Sequence, residues 1–385
     1  MGVCYSVNNE KKNHRLKTEE DNSQKINEED FQQNSFNENS IIENKQNITI
    51  VKLIGQIKGN AIKIENNNNC VIMIMDYSSS CQIQKCYNCS IFIAPCYNSI
   101  IVRDCNDLNL ISISQQIRIT NVKKGNFFLF APTRPTIENS DVNLGMCFLQ
   151  YMELNDLLKK CKLNVWNNKW SLYQTFGKDN KINYADEKIK NQVVNSFQTG
   201  LNECYISVDQ FQILPFTYGK SIDFQNKNNL LVCTKRDEFF DEDVLKLILP
   251  EELKEIEIKL ISTKSIKVVS ELYKDFINRV KKGNNKNNID YFTKPNQNYS
   301  RQNSKRFNKS AITNNSTIKM NKNEHENEYL FLWFISEEET DLENINEYLE
   351  NSLEIGNFVL IKCSDFEMDN KSFIHYLSNL FNFII

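Results

Sequence analysis

A short unit recurs along this chain at intervals of about nineteen residues, and few architectures tolerate such a period. Asn69-Cys70-Val71-Ile72-Met73-Ile74 returns nineteen positions later as Asn88-Cys89-Ser90-Ile91-Phe92-Ile93, and again as Asp107-Leu108-Asn109-Leu110-Ile111-Ser112. A weaker copy, Gly125-Asn126-Phe127-Phe128-Leu129-Phe130, follows at a slightly shorter step. A second series runs between these: Cys81-Gln82-Ile83-Gln84-Lys85-Cys86, then Ile100-Ile101-Val102-Arg103-Asp104-Cys105, then Ile117-Arg118-Ile119-Thr120-Asn121-Val122. A unit this short cannot bury its apolar face alone, so copies must stack. The copies are β-rich and separated by Asn, Asp, Ser and Gly, which suit tight corners. The period therefore predicts a parallel β-helix.

Composition narrows the remaining choices. The 385 residues allow more than one domain, and 40% hydrophobic content can fill their cores. A net charge of −3 gives no global attraction to nucleic acid. The longest apolar run, Tyr329 to Ile335, is strand-sized and far short of the ~18–20 residues a membrane helix needs. The N-terminus turns polar at once, which disfavours a secretory signal, and the 12 cysteines are accordingly expected as reduced thiols. Blocks of asparagine read mainly as a compositional habit of the source genome.

The first residues, Met1-Gly2-Val3-Cys4-Tyr5-Ser6, fit an acylation signal. Gly2 is placed to accept myristate, with Ser6 at the favoured position, and Cys4 is close enough to take a palmitate. One acyl chain anchors only marginally, so Cys4 would supply the second signal. Lys11, Lys12, Arg15 and Lys17 read as a solvated basic cluster rather than a lipid site. Residues 1–46 are expected as a disordered acylated tail, 47–178 as the β-helix, 179–203 as a polar connector and 204–385 as an α/β domain. Leu154 to Cys161 reads as a short extended or helical cap for the open end of the stack.

The Asn-Cys-x-Ile coils, the segment Ser114-Gln115-Gln116-Ile117-Arg118-Ile119 and the later Gly145-Met146-Cys147-Phe148 together resemble the tubulin-binding cofactor C domain family. The order of features strengthens the resemblance: Gly2 and Cys4 precede the repeats, Asn167-Asn168-Lys169-Trp170-Ser171 closes them, and an α/β region follows. The resemblance implies a right-handed parallel β-helix and a GTPase-activating function toward an Arf-like small GTPase. In GTP hydrolysis charge builds on the phosphoryl oxygens, and an arginine supplied in trans raises the rate by ~10³–10⁵. The family's motif places that arginine at Arg118, flanked by Gln115 and Gln116. Glu138 matches the family's acidic partner for it, and Phe176 falls where the family has an aromatic contact to the GTPase. An outward arginine on a β-helix is ordinarily a solvated charge; the adjoining glutamines distinguish this one. GTP and Mg²⁺ would belong to the partner, and the chain is expected to need no cofactor or metal of its own. Cys86-x-x-Cys89 lacks a second ligand pair for zinc, and stacking of Cys70 over Cys89 and of Cys86 over Cys105 accounts for it.

Beyond residue 203 the pattern changes to alternating strands and helices. Strands are predicted at Asn229–Cys233, Ile256–Ile261, Tyr329–Ile335 and Phe358–Ile361. Helices are predicted from Asp241 to Leu249, and over Ile266–Val280, Leu342–Leu353 and Ser372–Phe383. A polar run at 282–327 reads as a disordered insertion. The resemblance implies a nucleoside diphosphate kinase-like sandwich here, but no Asn-x-x-His-Ala-Ser-Asp-like segment occurs and His375 sits in an ordinary helical context, so no kinase activity is expected. The function implied is that of a membrane-anchored GTPase activator at the plasma or ciliary membrane or the cilium base, serving traffic of lipidated cargo. Two other readings stay open: a non-catalytic effector of a small GTPase, and a cytoskeletal factor acting on tubulin.

Overall fold

The computed structural model describes residues 38–204, 206, 213–223, 227–235, 258–269, 326–336 and 359–362, together with residues 371 and 375. Gly2, Cys4, the basic cluster, the helices predicted from Asp241 and over Leu342–Leu353, and the polar run up to residue 325 lie outside these residues. Lys371 and His375 are helical.

The repeats fold as a parallel β-solenoid of two sheets. One sheet contains β1 (Ile41–Glu43), β3 (Ile62–Glu65) and β5 (Cys81–Gln84), and the other β2 (Thr49–Lys52) and β4 (Val71–Ile74). The long strands β6 (Tyr87–Arg103) and β7 (Asn106–Thr120) bend and serve both sheets. The first sheet then continues through β9 (Thr136–Glu138) to β11 (Gln174–Phe176). The second continues through β8 (Gly125–Phe130) and β10 (Asp141–Met146) to β12 (Lys181–Tyr184). The register is the one the sequence period demands: Cys81 pairs with Ile100 and Ile100 with Ile117. The first coil starts at Ile41, inside the stretch expected to be tail.

Side chains alternate along each strand, so one register makes two ladders. Ile42, Ile64, Ile83, Val102, Ile119 and Ile137 stack inward as a continuous buried column. Each such side chain contributes roughly 1.5–3 kcal/mol over an exposed one. The buried cysteines fill narrow parts of the same interior, and all are free thiols among the described residues. Cys86 is pushed up to about 12 by its hydrogen bond with Cys105, and the same bond lowers Cys105.

The corners explain the asparagines, which therefore carry more than a compositional habit. Asn44, Asn66, Lys85, Asp104, Asn121 and Asn139 all take positive φ, as do Asn47, Asn69, Asn88, Asp107 and Lys124 three residues after the first five of them. Asn and Asp tolerate that left-handed conformation better than other residues with a Cβ. Their amides also bond from coil to coil: Asn66 Nδ2 donates to Asn44 Oδ1 (2.6 Å), and Asn88 Nδ2 to Asn69 Oδ1 (3.0 Å).

Two expectations need correction. The cap at Leu154 onward is helical, as α1 (Leu154–Lys160), but it lies beside the stack rather than over its end: Cys161 Sγ meets the Pro95 carbonyl at 3.2 Å. The polar connector is ordered and structural. It forms β12, α2 (Glu187–Ser196) and α3 (Gln198–Cys204), which strap the second sheet. Asp186 caps α2, accepting the Ile189 N–H at 2.8 Å. The stripe Ile189, Val193, Phe197 and Leu201 then faces the solenoid core. Ser196 Oγ bonds Ser90 Oγ (2.8 Å) and accepts from Asn109 Nδ2 (3.1 Å), while Gly200 comes so close to Met73 that a Cβ there would sit 2.6 Å from its Cγ.

The C-terminal strands β13 (Asn228–Lys235), β14 (Ile258–Val269), β15 (Glu326–Ser336) and β16 (Val359–Lys362) form an antiparallel sheet in the order β14-β15-β13-β16. Leu330, Leu332 and Phe334 join the solenoid's hydrophobic core, and Phe331 and Trp333, at the alternate positions, are buried too. The predicted helix from Ile266 is not formed over Ile266–Val269, which extend β14 and pair with β15 as far as Glu326. Ile266, Val268 and Val269 are β-branched, and tertiary pairing supplies the strand that local pattern did not.

Candidate functional site

Arg118 lies on the outer surface of the first sheet, and the fold dictates this. Ile117 and Ile119 on either side are fully buried in the inward ladder, so the pleat turns Gln116, Arg118 and Thr120 outward. Ile101 precedes Arg118 in register one coil back, and Thr136 then Gln174 follow it. The neighbouring outward column runs Gln84, Arg103, Thr120, Glu138, Phe176. The mount is stiff because every coil bonds to the next along the whole strand.

The guanidinium is half exposed, with 51% of its side-chain surface open, and its Nη2 donates to Glu138 Oε2 at 3.2 Å. Two exposed partners of this kind contribute about 0–1 kcal/mol to stability, so the contact orients more than it stabilises. Phe176, 53% exposed, is the register partner of Glu138 and places a bare aromatic ring beside the ion pair. The face therefore brings Gln116, Arg118, Glu138 and Phe176 together.

Gln115 is placed differently. It stands at the bend of β7, half-buried, where its carbonyl accepts from Thr133 Oγ1 at 2.7 Å and the adjacent Ser114 Oγ donates to the Gln116 carbonyl at 3.0 Å. These bonds fix where the strand turns, and with it the height at which Gln116 and Arg118 project.

Several contributing residues carry weaker sequence signals. Gly177 has φ +78°, and a Cβ there would collide with the Asn139 side chain. Asn180 Nδ2 donates to the Phe176 carbonyl (2.8 Å) while its Oδ1 accepts the Ser140 N–H (3.2 Å), tying the Phe176 turn to the previous coil. The signal for Gly177 was its position next to a strand-final aromatic. Arg103 is exposed on the adjacent column and makes no ion pair among the described residues; its coil position relative to Arg118 was legible from the period.

Residues 59–176 match the protein family described as Tubulin binding cofactor C. Arg118, Glu138 and Phe176 all fall inside that span. The chain is similar to Tubulin-folding cofactor C of Arabidopsis thaliana, 26% identical over 136 residues that make up 35% of this chain and 39% of that protein. It is similar to Protein XRP2 (retinitis pigmentosa 2) of Danio rerio, 32% identical over 34% of this chain and 35% of the relative. With Protein XRP2 of Gallus gallus the likeness runs over 230 residues at 28% identity, 58% of this chain and 64% of the relative, well beyond the solenoid. In each case the chain covers less than two thirds of the relative's length.

Proposed function

We propose that this tubulin binding cofactor C domain protein activates an Arf-like small GTPase by inserting Arg118 into the partner's nucleotide site. The observation that carries the reading is Arg118's placement: outward on a rigid ladder, aligned by Glu138, and flanked by exposed Gln116 and Phe176 on an open face. A guanidinium stays charged and presents a planar fork of donors, which suits the spreading charge of a phosphoryl transition state. Rigidity matters because a displacement of ~1 Å can lose ~10²-fold in rate. Glu138 keeps the fork aligned until docking, when phosphate oxygens replace it. Gln116 faces the same partner, Gln115 sets the bend, and Phe176 gives the aromatic contact. GTP and Mg²⁺ are the partner's, and no covalent step passes through this chain.

Acyl chains on Gly2 and Cys4 would hold the protein at the plasma or ciliary membrane, where it would serve release of lipidated cargo. The test is single-turnover GTP hydrolysis by candidate Arf-like GTPases with and without the full chain. Acceleration that disappears with Arg118→Ala supports the reading, and GTP-dependent binding without acceleration replaces it with a non-catalytic effector. A second reading has its own support. The chain is also similar to Tubulin-folding cofactor C, so a role in tubulin handling is tested by co-sedimentation with tubulin heterodimers.

A further inference from the structure

A cavity of about 300 Å³ opens where the far end of the second sheet meets α2 and residues 213–223. Six aromatic side chains line it: Phe128, Phe148, Trp170, Tyr184, Phe216 and Tyr218. They stand in edge-to-face pairs, Phe128 with Phe148 (centroids 4.8 Å apart), Trp170 with Tyr184 (5.8 Å) and Phe216 with Tyr218 (5.2 Å). Gly145 makes room for the Phe128 ring, since a Cβ there would stand 2.6 Å from it. Two bonds through Thr217 fix the outer wall: Trp170 Nε1 donates to its Oγ1 (3.3 Å), and its own N–H donates to Met146 Sδ (3.0 Å).

The mouth of the cavity is charged. Asp186 and Glu187, both exposed, and the half-buried Lys190 also line it. Lys190 Nζ stands 5.7 Å from the centroid of the Phe148 ring and 3.8 Å from Glu187 Oε2. The chain's own ammonium therefore already rests over one ring, within the range of a cation–π contact. Burial, then Glu187, pushes the Tyr218 hydroxyl up, so the carboxylate is felt on the opposite wall as well.

We propose that this cavity binds a quaternary ammonium group, free as in choline or at the head of a lipid. Aromatic faces are negative and attract a cation, and two carboxylates against one ammonium leave the mouth net negative. That mouth repels an anion, and a plain hydrocarbon gains nothing from it. A bare ammonium loses hydration among apolar rings, which Lys190 avoids by staying beside Glu187. An alkylated ammonium instead presents methyl groups to the rings and keeps its charge. Lys190 holds the place until the ligand displaces it. The site does not rest on the GTPase reading, since neither Arg118 nor its neighbours on the first sheet line it.

The full chain is titrated calorimetrically with choline and with dimethylbutanol, its neutral carbon isostere. Choline is expected to bind about tenfold more tightly than the isostere. Phe148→Leu keeps an apolar wall without the ring and is expected to weaken choline about fivefold. Glu187→Gln is expected to weaken it about threefold, and Lys190→Met, which removes the competing cation, to tighten it about threefold, with the isostere indifferent to both. Glu187 is exposed and Lys190 half-buried, so these two variants decide the question even if Phe148→Leu fails to fold. Arg118→Ala is expected to leave choline binding unchanged. Phosphatidylcholine vesicles identify the source: capture that Glu187→Gln loses assigns a lipid headgroup, and binding of choline without capture assigns a free ligand. Binding of neither choline nor vesicles, equal affinity for the isostere, or weaker choline binding in Lys190→Met overturns the proposal.

Discussion

The two sheets of the solenoid share coils, register and core, yet their outer surfaces differ in kind. On the second sheet one outward column is small or amide-bearing, Val71, Ser90, Asn109, Asn126 and Asn143, and the next is apolar, Met73, Phe92, Ile111 and Phe128. Asparagines there bond down the stack, Asn126 Nδ2 to Asn109 Oδ1 at 2.9 Å and Asn143 Nδ2 to Asn126 Oδ1 at 2.8 Å. On the first sheet the outward positions are mostly long and polar, and Lys63, Glu65, Arg103, Arg118 and Glu138 among them are charged. The first kind of surface lets the chain's own α2 and α3 approach closely. The second repels a close-packed cover and leaves reaching side chains for another molecule. The interior fixes where each residue stands, while the outward residue types decide which sheet the protein covers itself and which it offers.

The largest expected effect tests the offered sheet. Arg118→Ala should reduce GTPase activation by about 10³-fold or more, roughly 4 kcal/mol of transition-state stabilisation. Its melting temperature should stay unchanged, because the exposed ion pair adds almost nothing to folding. A large loss of stability would mean that the two surfaces are not separable in this way. The covered sheet should answer in the opposite manner. Gly200→Val sets a branched side chain against the buried Met73 and the half-buried Val71, at a cost of about 1–3 kcal/mol. Thermal unfolding should register that loss, with activation by the folded fraction intact.

Much of this contrast was readable in the sequence. A nineteen-residue step aligned Cys81 with Ile100 and Arg103 with Gln84 before any coordinates, and strand alternation then turned Arg118 outward. The strap was harder to see. Ile189, Val193, Phe197 and Leu201 form a four-residue stripe, but it lies in a polar stretch with little apolar content, so it resembled a linker. The asparagine ladders were obscured for a different reason: Asn is abundant throughout the chain, and only the left-handed φ values at the corners separate structural copies from the rest. The C-terminal sheet depends on pairing between residues near 230, 265 and 330, and no local period records such distant partners. Gln115 shows the limit within the site. Sequence adjacency to Arg118 suggested a shared face, whereas the bend of β7 gives it a half-buried corner position.

Phe176→Ala sharpens the comparison further. An exposed aromatic next to a docking arginine contributes to association, with ~1–2 kcal/mol typical of such a contact. The variant should raise the GTPase concentration needed for half-maximal activation by about tenfold, with the saturated rate preserved. A lowered saturated rate would place the ring in positioning Arg118 instead. The turn behind it gives an internal check. Gly177→Ala strains a φ of +78° and collides with Asn139, so it should reproduce the Phe176→Ala defect with the aromatic ring still present.

Glu138→Gln probes the smallest effect and the most specific point. The substitution keeps the side chain's length and one acceptor oxygen but removes the charge facing Arg118 at 3.2 Å. Since an exposed pair is worth at most about 1 kcal/mol, activation should fall by no more than about fivefold and stability should not move. Salt should show the same thing: screening weakens an exposed ion pair, so the difference between wild type and variant should shrink as ionic strength rises. If Glu138→Gln instead matched Arg118→Ala in severity, the carboxylate would be meeting the partner directly rather than aligning the arginine. The open face would then carry two contact groups where the geometry assigns one.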